Sequence, residues 1–277
     1  MKRNIKLSKK LIFFIILLFF SIISSSVFAT QDVIEINNAN DLKLLLKNNS
    51  LENKKIIIKN DITIDSIDIP DIGHNVNLIN STVIGQGPKR PTITINLKDQ
   101  EIQPLFGKIY GDNSESKIIT EKQEYPVLQN FNIVCNGDVI GAPVCAELDS
   151  RVRKDYKNSS HLGYAKDMDI TVRGNIIPFK YYPSAHRASG FVVDFTEFDF
   201  YNINIDVDGN IGGDISKISD CKSILCAGLF AENGAKTFTR LENINIKAKD
   251  IIAKTANPAG VSYAAGCAVT GSTNQKI

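Results

Sequence analysis

Four short segments of this chain align without gaps: FNIVC from Phe131, MDITV from Met168, INIDV from Ile203 and INIKA from Ile244. Their central isoleucines, Ile133, Ile170, Ile205 and Ile246, lie 37, 35 and 41 residues apart. Positions one, three and five are apolar in every copy, and position two is Asn132, Asp169, Asn204 or Asn245. Period two is the pattern of a strand with one buried face. A second segment follows each copy in the same order: PVCAE from Pro143, GFVVD from Gly190, GLFAE from Gly228 and GCAVT from Gly266. Glycine at the head of three of them suits a corner with no room for a Cβ.

One such unit leaves most of its apolar face in water. Stacking like units in parallel register buries each face on the next and pairs the backbone edges. An antiparallel sandwich also has many short strands, but gives no reason for two strands to recur in fixed order. The expected fold is therefore all-β, a parallel β-helix or β-solenoid with two strands per coil. Its columns are Ile133, Ile170, Ile205 and Ile246, beside Cys135, Val172, Val207 and Ala248. The Asn/Asp column is expected to face solvent, with a hydrogen-bonded ladder as the alternative.

Upstream, strand-like Ile56–Ile58, Ile62–Ile64, Val76–Leu78 and Ile93–Ile95 are separated by Gly, Pro, Asn or Asp. Asn40-Asp41 precedes Leu42, Leu45 and Leu46, which predicts a short capping helix starting near Asn40 with Asn as N-cap. Such a helix covers the open apolar end of a stack. The resulting division is 1–29 leader, 30–107 cap and first irregular coils, and 108–277 repeated coils.

The leader is read from its own pattern. Lys2, Arg3, Lys6, Lys9 and Lys10 precede a 13-residue stretch from Leu11 to Ile23 that is apolar but for Ser21, and Val27-Phe28-Ala29 ends it. That is a secretory signal cleaved after Ala29, and the run is short of the roughly 20 residues of a spanning helix. Export to the outside or the cell surface follows, with no integral span in the mature chain. Removing those five cations from 32 Lys+Arg leaves 27 against 30 acids, about −3. No basic stripe speaks for nucleic acid.

Five cysteines, Cys135, Cys145, Cys221, Cys226 and Cys267, lie beyond the leader. Cys221 and Cys226 are spaced to close a small disulfide loop, whereas Cys135, Cys145 and Cys267 read as buried apolar residues. No second CxxC or HxxxH supports zinc.

GLFAENG at Gly228 to Gly234, then LENINIKA at Leu241 to Ala248, resembles the GLUG-type repeats of bacterial secreted β-helix proteins. INNANDLKLLLKN followed by IIIKNDITI is similar to their entry segment, a short helix before the first strands. Pro143 and Gly190 head segments that are not Gly-Leu, and the spacers exceed a minimal repeat. The resemblance implies surface exposure of an adhesin-like kind and brings no catalytic set.

Candidate chemistry is sparse. His74, His161 and His186 fall at unrelated repeat positions, so no catalytic residues and no cofactor are assigned. Asp194, Glu197 and Asp199, or Asp206 and Asp208, are candidates for the carboxylate pair of a polysaccharide lyase or glycoside hydrolase. Strand alternation alone also places them outward. Asp206, Asp208, Asn210 and Asp214 resemble part of a calcium loop, without its twelve-residue spacing or terminal Glu.

The expected binding face lies in loops stacked at one corner, Ile176 to Ser189, Gly212 to Ser223 and Ile252 to Tyr263. The first holds Phe179, Lys180, Tyr181, Tyr182, His186 and Arg187, residue types that suit a host or matrix glycan or protein. Arg151 to Lys166 is expected as a basic solvated loop. A ligand-free stalk is the remaining alternative. Asn274 to Ile277 correspond to the approach to another strand, so continuation by a downstream segment or another chain is expected.

Overall fold

A computed structural model describes residues 32–69, 76–97, 104–110, 126–149, 163–182, 185–196, 198–215, 221, 223–233, 240–255 and 261–267. The leader with Ala29, His74, His161, Glu197 and Asn274 to Ile277 lie outside them.

The chain repeats a similar pass. The first holds β1 (Asp32–Ile36), α1 (Ala39–Leu46) and β2 (Ser50–Glu52), and the second β3 (Lys54–Ile58), β4 (Ile62–Asp65) and β5 (Asn77–Ile79). Next come β6 (Thr82–Gly85), β7 (Thr92–Asn96) and β8 (Phe106–Tyr110). The fourth pass contains β9 (Val127–Gln129), β10 (Asn132–Asn136), β11 (Val139–Ile140) and β12 (Cys145–Asp149). The fifth contains β13 (Gly163–Val172), β14 (Ile176–Ile177), β15 (Phe179–Tyr182), β16 (Ala185–Ser189) and β17 (Val192–Thr196). The sixth has β18 (Phe198–Val207), β19 (Ile211–Asp214), β20 (Ser223–Ala227) and β21 (Phe230–Asn233). Then follow β22 (Leu241–Lys247), β23 (Ile251–Lys254) and β24 (Val261–Ala265).

Equivalent strands of successive passes pair side by side in four open sheets. The ten-stranded sheet carries β1-β3-β6-β9 on one flank and β4-β7-β10 on the other, and the long β13 joins both before β18 and β22. The remaining sheets are β2-β5-β8-β12-β17-β21, β11-β14-β19-β23 and β15-β16-β20-β24. The described residues are thus all-β, with almost entirely parallel pairing and one α-helix.

The isoleucine column forms as expected and runs further. Ile62 faces Ile93, Ile93 faces Ile133, and the register continues through Ile170 and Ile205 to Ile246. The first five are buried, each contributing about 1.5–3 kcal/mol for a fully buried aliphatic side chain. Cys135, Val172 and Val207 form the second column. The early passes share this register, and the boundary drawn at 107 falls inside β8.

Other expectations need correction. Each later pass has more than two strands, because the supposed corner loops contribute strands of their own: Ile176 to Ser189 holds β14, β15 and β16, and the ends of Gly212 to Ser223 lie in β19 and β20. Ile252 to Tyr263 likewise lies in β23 and β24 at its ends. Apolar stretches this short show no periodicity, and only pairing with the neighbouring pass makes them strands. The basic stretch from Arg151 also ends in β13, which begins at Gly163. Its Lys166 pairs with Tyr201.

Helix α1 buries Leu42, Leu45 and Leu46 as expected and packs against β1 and β4. Its N-cap is Asn38, not Asn40: Asn38 Oδ1 accepts from the Asn40 and Asp41 amides at 2.9 and 3.2 Å. Asp41 Oδ2 accepts from the Asn37 amide at 2.8 Å, and both Asn40 and Asp41 lie within the first turn. Two of the three glycine corners, Gly190 and Gly228, are as tight as expected, whereas a Cβ on Gly266 would meet no atom of the described residues within 4 Å. A Cβ on Gly190 would overlap the Gly228 carbonyl, and one on Gly228 the Gly266 carbonyl.

The outward Asn/Asp column is partly a ladder. Asn132 Oδ1 accepts from the Asp169 amide at 3.2 Å, and Asn204 Nδ2 donates to Asp169 Oδ1 at 2.6 Å. A more consequential column lies just before each aligned segment. Asn130, Asp167, Asn202 and Asn243 have φ of 61°, 55°, 54° and 55°. Asn202 Nδ2 donates to Asp167 Oδ1 at 2.7 Å, and Asn243 Nδ2 to Asn202 Oδ1 at 2.9 Å. Left-handed backbone costs most residues about 1–2 kcal/mol, and Asn and Asp tolerate it best.

The turn at this column resets the alternation of the strand. In β18, Phe198 and Phe200 are buried, then Ile203, Ile205 and Val207. Strict period two would put one of those sets in water. Replacing Asn202 by Val is expected to lower stability about 1–2 kcal/mol more than replacing it by Gly, which also tolerates this backbone. Denaturant midpoints of both variants read the difference, and equal losses would show that the left-handed turn is not what constrains this position.

Candidate binding site on the antiparallel hairpin

Among the described pairings, β15 and β16 are the antiparallel pair. Phe179 faces Arg187, Lys180 faces His186 and Tyr182 faces Ala185, with a register shift between Lys180 and Tyr182. On its other edge β16 pairs in parallel with β20, and β20 with β24. Ala185, Ser223 and Val261 therefore align, as do Arg187, Leu225 and Tyr263. The signal for this alignment is visible in hindsight. AHRAS, SILCA and VSYAA each run directly into a corner glycine, Gly190, Gly228 or Gly266, with Gly190 itself one residue past Ser189.

This arrangement divides the six expected site residues. Lys180 is exposed, Phe179 is half-buried, and Tyr181 and Tyr182 lie within β15. His186 and Arg187 are each only 4% exposed. They are not members of a solvated loop, because β16 is paired on both edges. Arg187 Nη1 donates to the His186 carbonyl at 3.2 Å and to Ser223 Oγ at 3.4 Å. The buried Nδ1 of His186 has no hydrogen-bond partner. Burial pushes the His186 pKa below its usual value, and the positive charges of Lys180 and then Arg187 act in the same direction.

Of the first candidate carboxylate set, Asp194 and Asp199 are described and stand on different sheets. Asp194 stands in the six-stranded sheet, in register with Glu147 and Glu232. Glu147 is bridged to Lys108 at 2.6 Å. Asp199 belongs to the ten-stranded sheet and accepts from the Tyr201 hydroxyl at 3.0 Å and the Arg240 amide at 2.8 Å. Asp206 meets Lys247 at 3.0 Å and Asp214 meets Lys254 at 2.6 Å. Asp208 is exposed, and Asn210 uses its amide on Asn175 Oδ1 at 3.0 Å. The partial calcium pattern is thus spread over two sheets, with two of its carboxylates taken by lysines. No cluster of three metal-binding acids, histidines or cysteines occurs among the described residues.

The loop-closing disulfide does not form either. Cys221 and Cys226 are buried free thiols, and Cys221 Sγ donates to the Ser223 carbonyl at 3.2 Å. Strand β20 extends from Ser223 past Cys226 at about 3.3 Å per residue, too stretched for the roughly 4.4–6.8 Å Cα separation of a disulfide. Cys135 and Cys145 are buried, in keeping with their reading as apolar residues, while Cys267 is half-buried. Desolvation pushes the Cys135 and Cys226 thiols up to about 12 and the Cys145 thiol well above its usual value.

No helix of the described residues is long and apolar enough to cross a membrane. Compared with family models, curated proteins and solved structures, the chain matches none.

Two outcomes follow from these environments. Because the folded pKa of His186 lies below its unfolded value near 6.5, its neutral form favours the fold above that pH. Thermal stability is therefore expected to fall as pH drops below about 6.5. His186→Gln should flatten that fall, and an unchanged slope would assign the effect to other groups. At pH 8 a thiol reagent is expected to modify Cys135, Cys145 and Cys226 at least about a hundredfold more slowly in the folded chain than in urea. Peptide mapping of the labelled sites checks this.

Proposed function

We propose that the chain is an exported, adhesin-like binding protein that winds as a parallel β-helix and presents a ligand-binding hairpin on its flank. Export rests on the basic n-region, the apolar run and the small residues ending at Ala29. The winding is supported by the order of the four sheets, in which each strand pairs with its counterpart one pass later. The resemblance of GLFAENG and LENINIKA to GLUG-type repeats points the same way.

The observation that carries the binding assignment is the β15–β16 hairpin. It departs from the parallel pairing of the other described strands and gathers Phe179, Lys180, Tyr181 and Tyr182 on its outer strand. Regular repeats supply a rigid platform, and departures from them map to one face that is commonly the binding face. The ligand class is a host or matrix glycan or protein, and catalysis forms no part of the proposal.

The test is binding of the full chain to glycan arrays and immobilised matrix proteins. Binding should be seen and should drop at least tenfold in a Tyr181→Ala/Tyr182→Ala variant whose circular dichroism matches the parent. Binding that survives the double variant removes the hairpin as the site. A chain that binds nothing would be a structural stalk, and release of unsaturated sugars from an acidic polysaccharide would make it an enzyme.

A further inference from the structure

Within the hairpin, Lys180 and His186 form a directly opposed pair. Opposed residues of antiparallel strands project from the same face, with Cβ atoms about 4.5–5.5 Å apart. Lys180 is exposed and has no ion pair among the described residues. Beside it, His186 is almost wholly buried, yet its Nδ1 has no partner. Leaving a buried polar atom unsatisfied is costly, and such atoms are uncommon in folded proteins. An exposed ammonium beside a buried ring nitrogen without a partner offers one donor and, in the Nδ1–H tautomer of the neutral ring, a second, with no acceptor supplied by the described fold.

We propose that Lys180 and His186 together seat one carboxylate of an acidic sugar, which rests on the reading of the hairpin as the binding site. The Lys180 ammonium takes one carboxylate oxygen, and Nδ1–H of the neutral imidazole donates to the carboxylate as well. The lowered pKa of His186 is consistent with the neutral ring in the free site. Arg187, the next residue, adds positive potential from within the strand while its Nη1 is engaged with the His186 carbonyl and Ser223 Oγ.

One feature favours a sugar acid over an acidic polypeptide. Tyr181, next to Lys180 at the register shift of the outer strand, is an aromatic residue type that combines a flat apolar face with a polar tip. That combination fits a sugar ring better than a row of carboxylate side chains.

Calorimetric titration of the full chain with trigalacturonate, its methyl ester and triglutamate tests the assignment. Trigalacturonate should bind, and the ester and the peptide at least tenfold more weakly. Lys180→Gln, at an exposed position, should weaken trigalacturonate at least tenfold with an unchanged melting temperature. His186→Asn, which keeps a donor near the position of Nδ1, should retain more affinity than His186→Leu. Equal binding of acid and ester, equal binding of triglutamate, or no effect of Lys180→Gln would overturn the proposal. Absence of trigalacturonate binding overturns it too. If the array still shows ligands lost in the tyrosine double variant, the hairpin reading survives that failure; if it shows none, both fall.

Discussion

Everything in this structure depends on parallel, in-register pairing between one pass of the chain and the next. The isoleucine column from Ile62 to Ile246 is its clearest expression. A single pass carries too little apolar surface to fold alone, so burial and backbone pairing are obtained together, by stacking or not at all. Helix α1 closes the first pass by placing Leu42, Leu45 and Leu46 over it.

Stacking also governs the polar groups. A residue that turns the backbone in one pass lies beside the residue that does so in the next, which lets side-chain amides bridge the passes. Asp167, Asn202 and Asn243 do this at the left-handed turn, and Asp138, Asn175 and Asn210 do it at the next corner. The amide or carboxylate thus serves twice, tolerating the local backbone and linking neighbouring passes. Charges on the outer faces follow the same rule, with Asp206 bonded to Lys247 and Asp214 to Lys254 in the following pass. Such exposed pairs contribute about 0–1 kcal/mol each, so they serve register more than stability.

The hairpin is the place where this logic is suspended. Strand β15 turns back on β16, and β16 then rejoins the parallel order through β20. Being paired on both edges buries His186 and Arg187, while Lys180 on β15 stays in solvent. A rigid inner strand with a more accessible outer one would suit the proposed recognition, since side chains on the inner strand lose little further freedom when a ligand arrives.

Much of this was legible in the residues alone. Period-two segments at near-constant spacing foretold the core columns, the glycine corners and the capping leucines, because burial of a strand face leaves a regular trace. The left-handed column was also written there, as Asn or Asp directly before each aligned segment, but a search for apolar alternation passes over it. What the residues did not reveal was which short stretches become strands, that Cys221 and Cys226 stay apart, and that His186 and Arg187 are buried. Those outcomes belong to the tertiary structure. Two-residue strands such as β14 exist only because a neighbour supplies their hydrogen bonds, and burial of a polar side chain is decided by what lies on both edges of its strand, which no local pattern records.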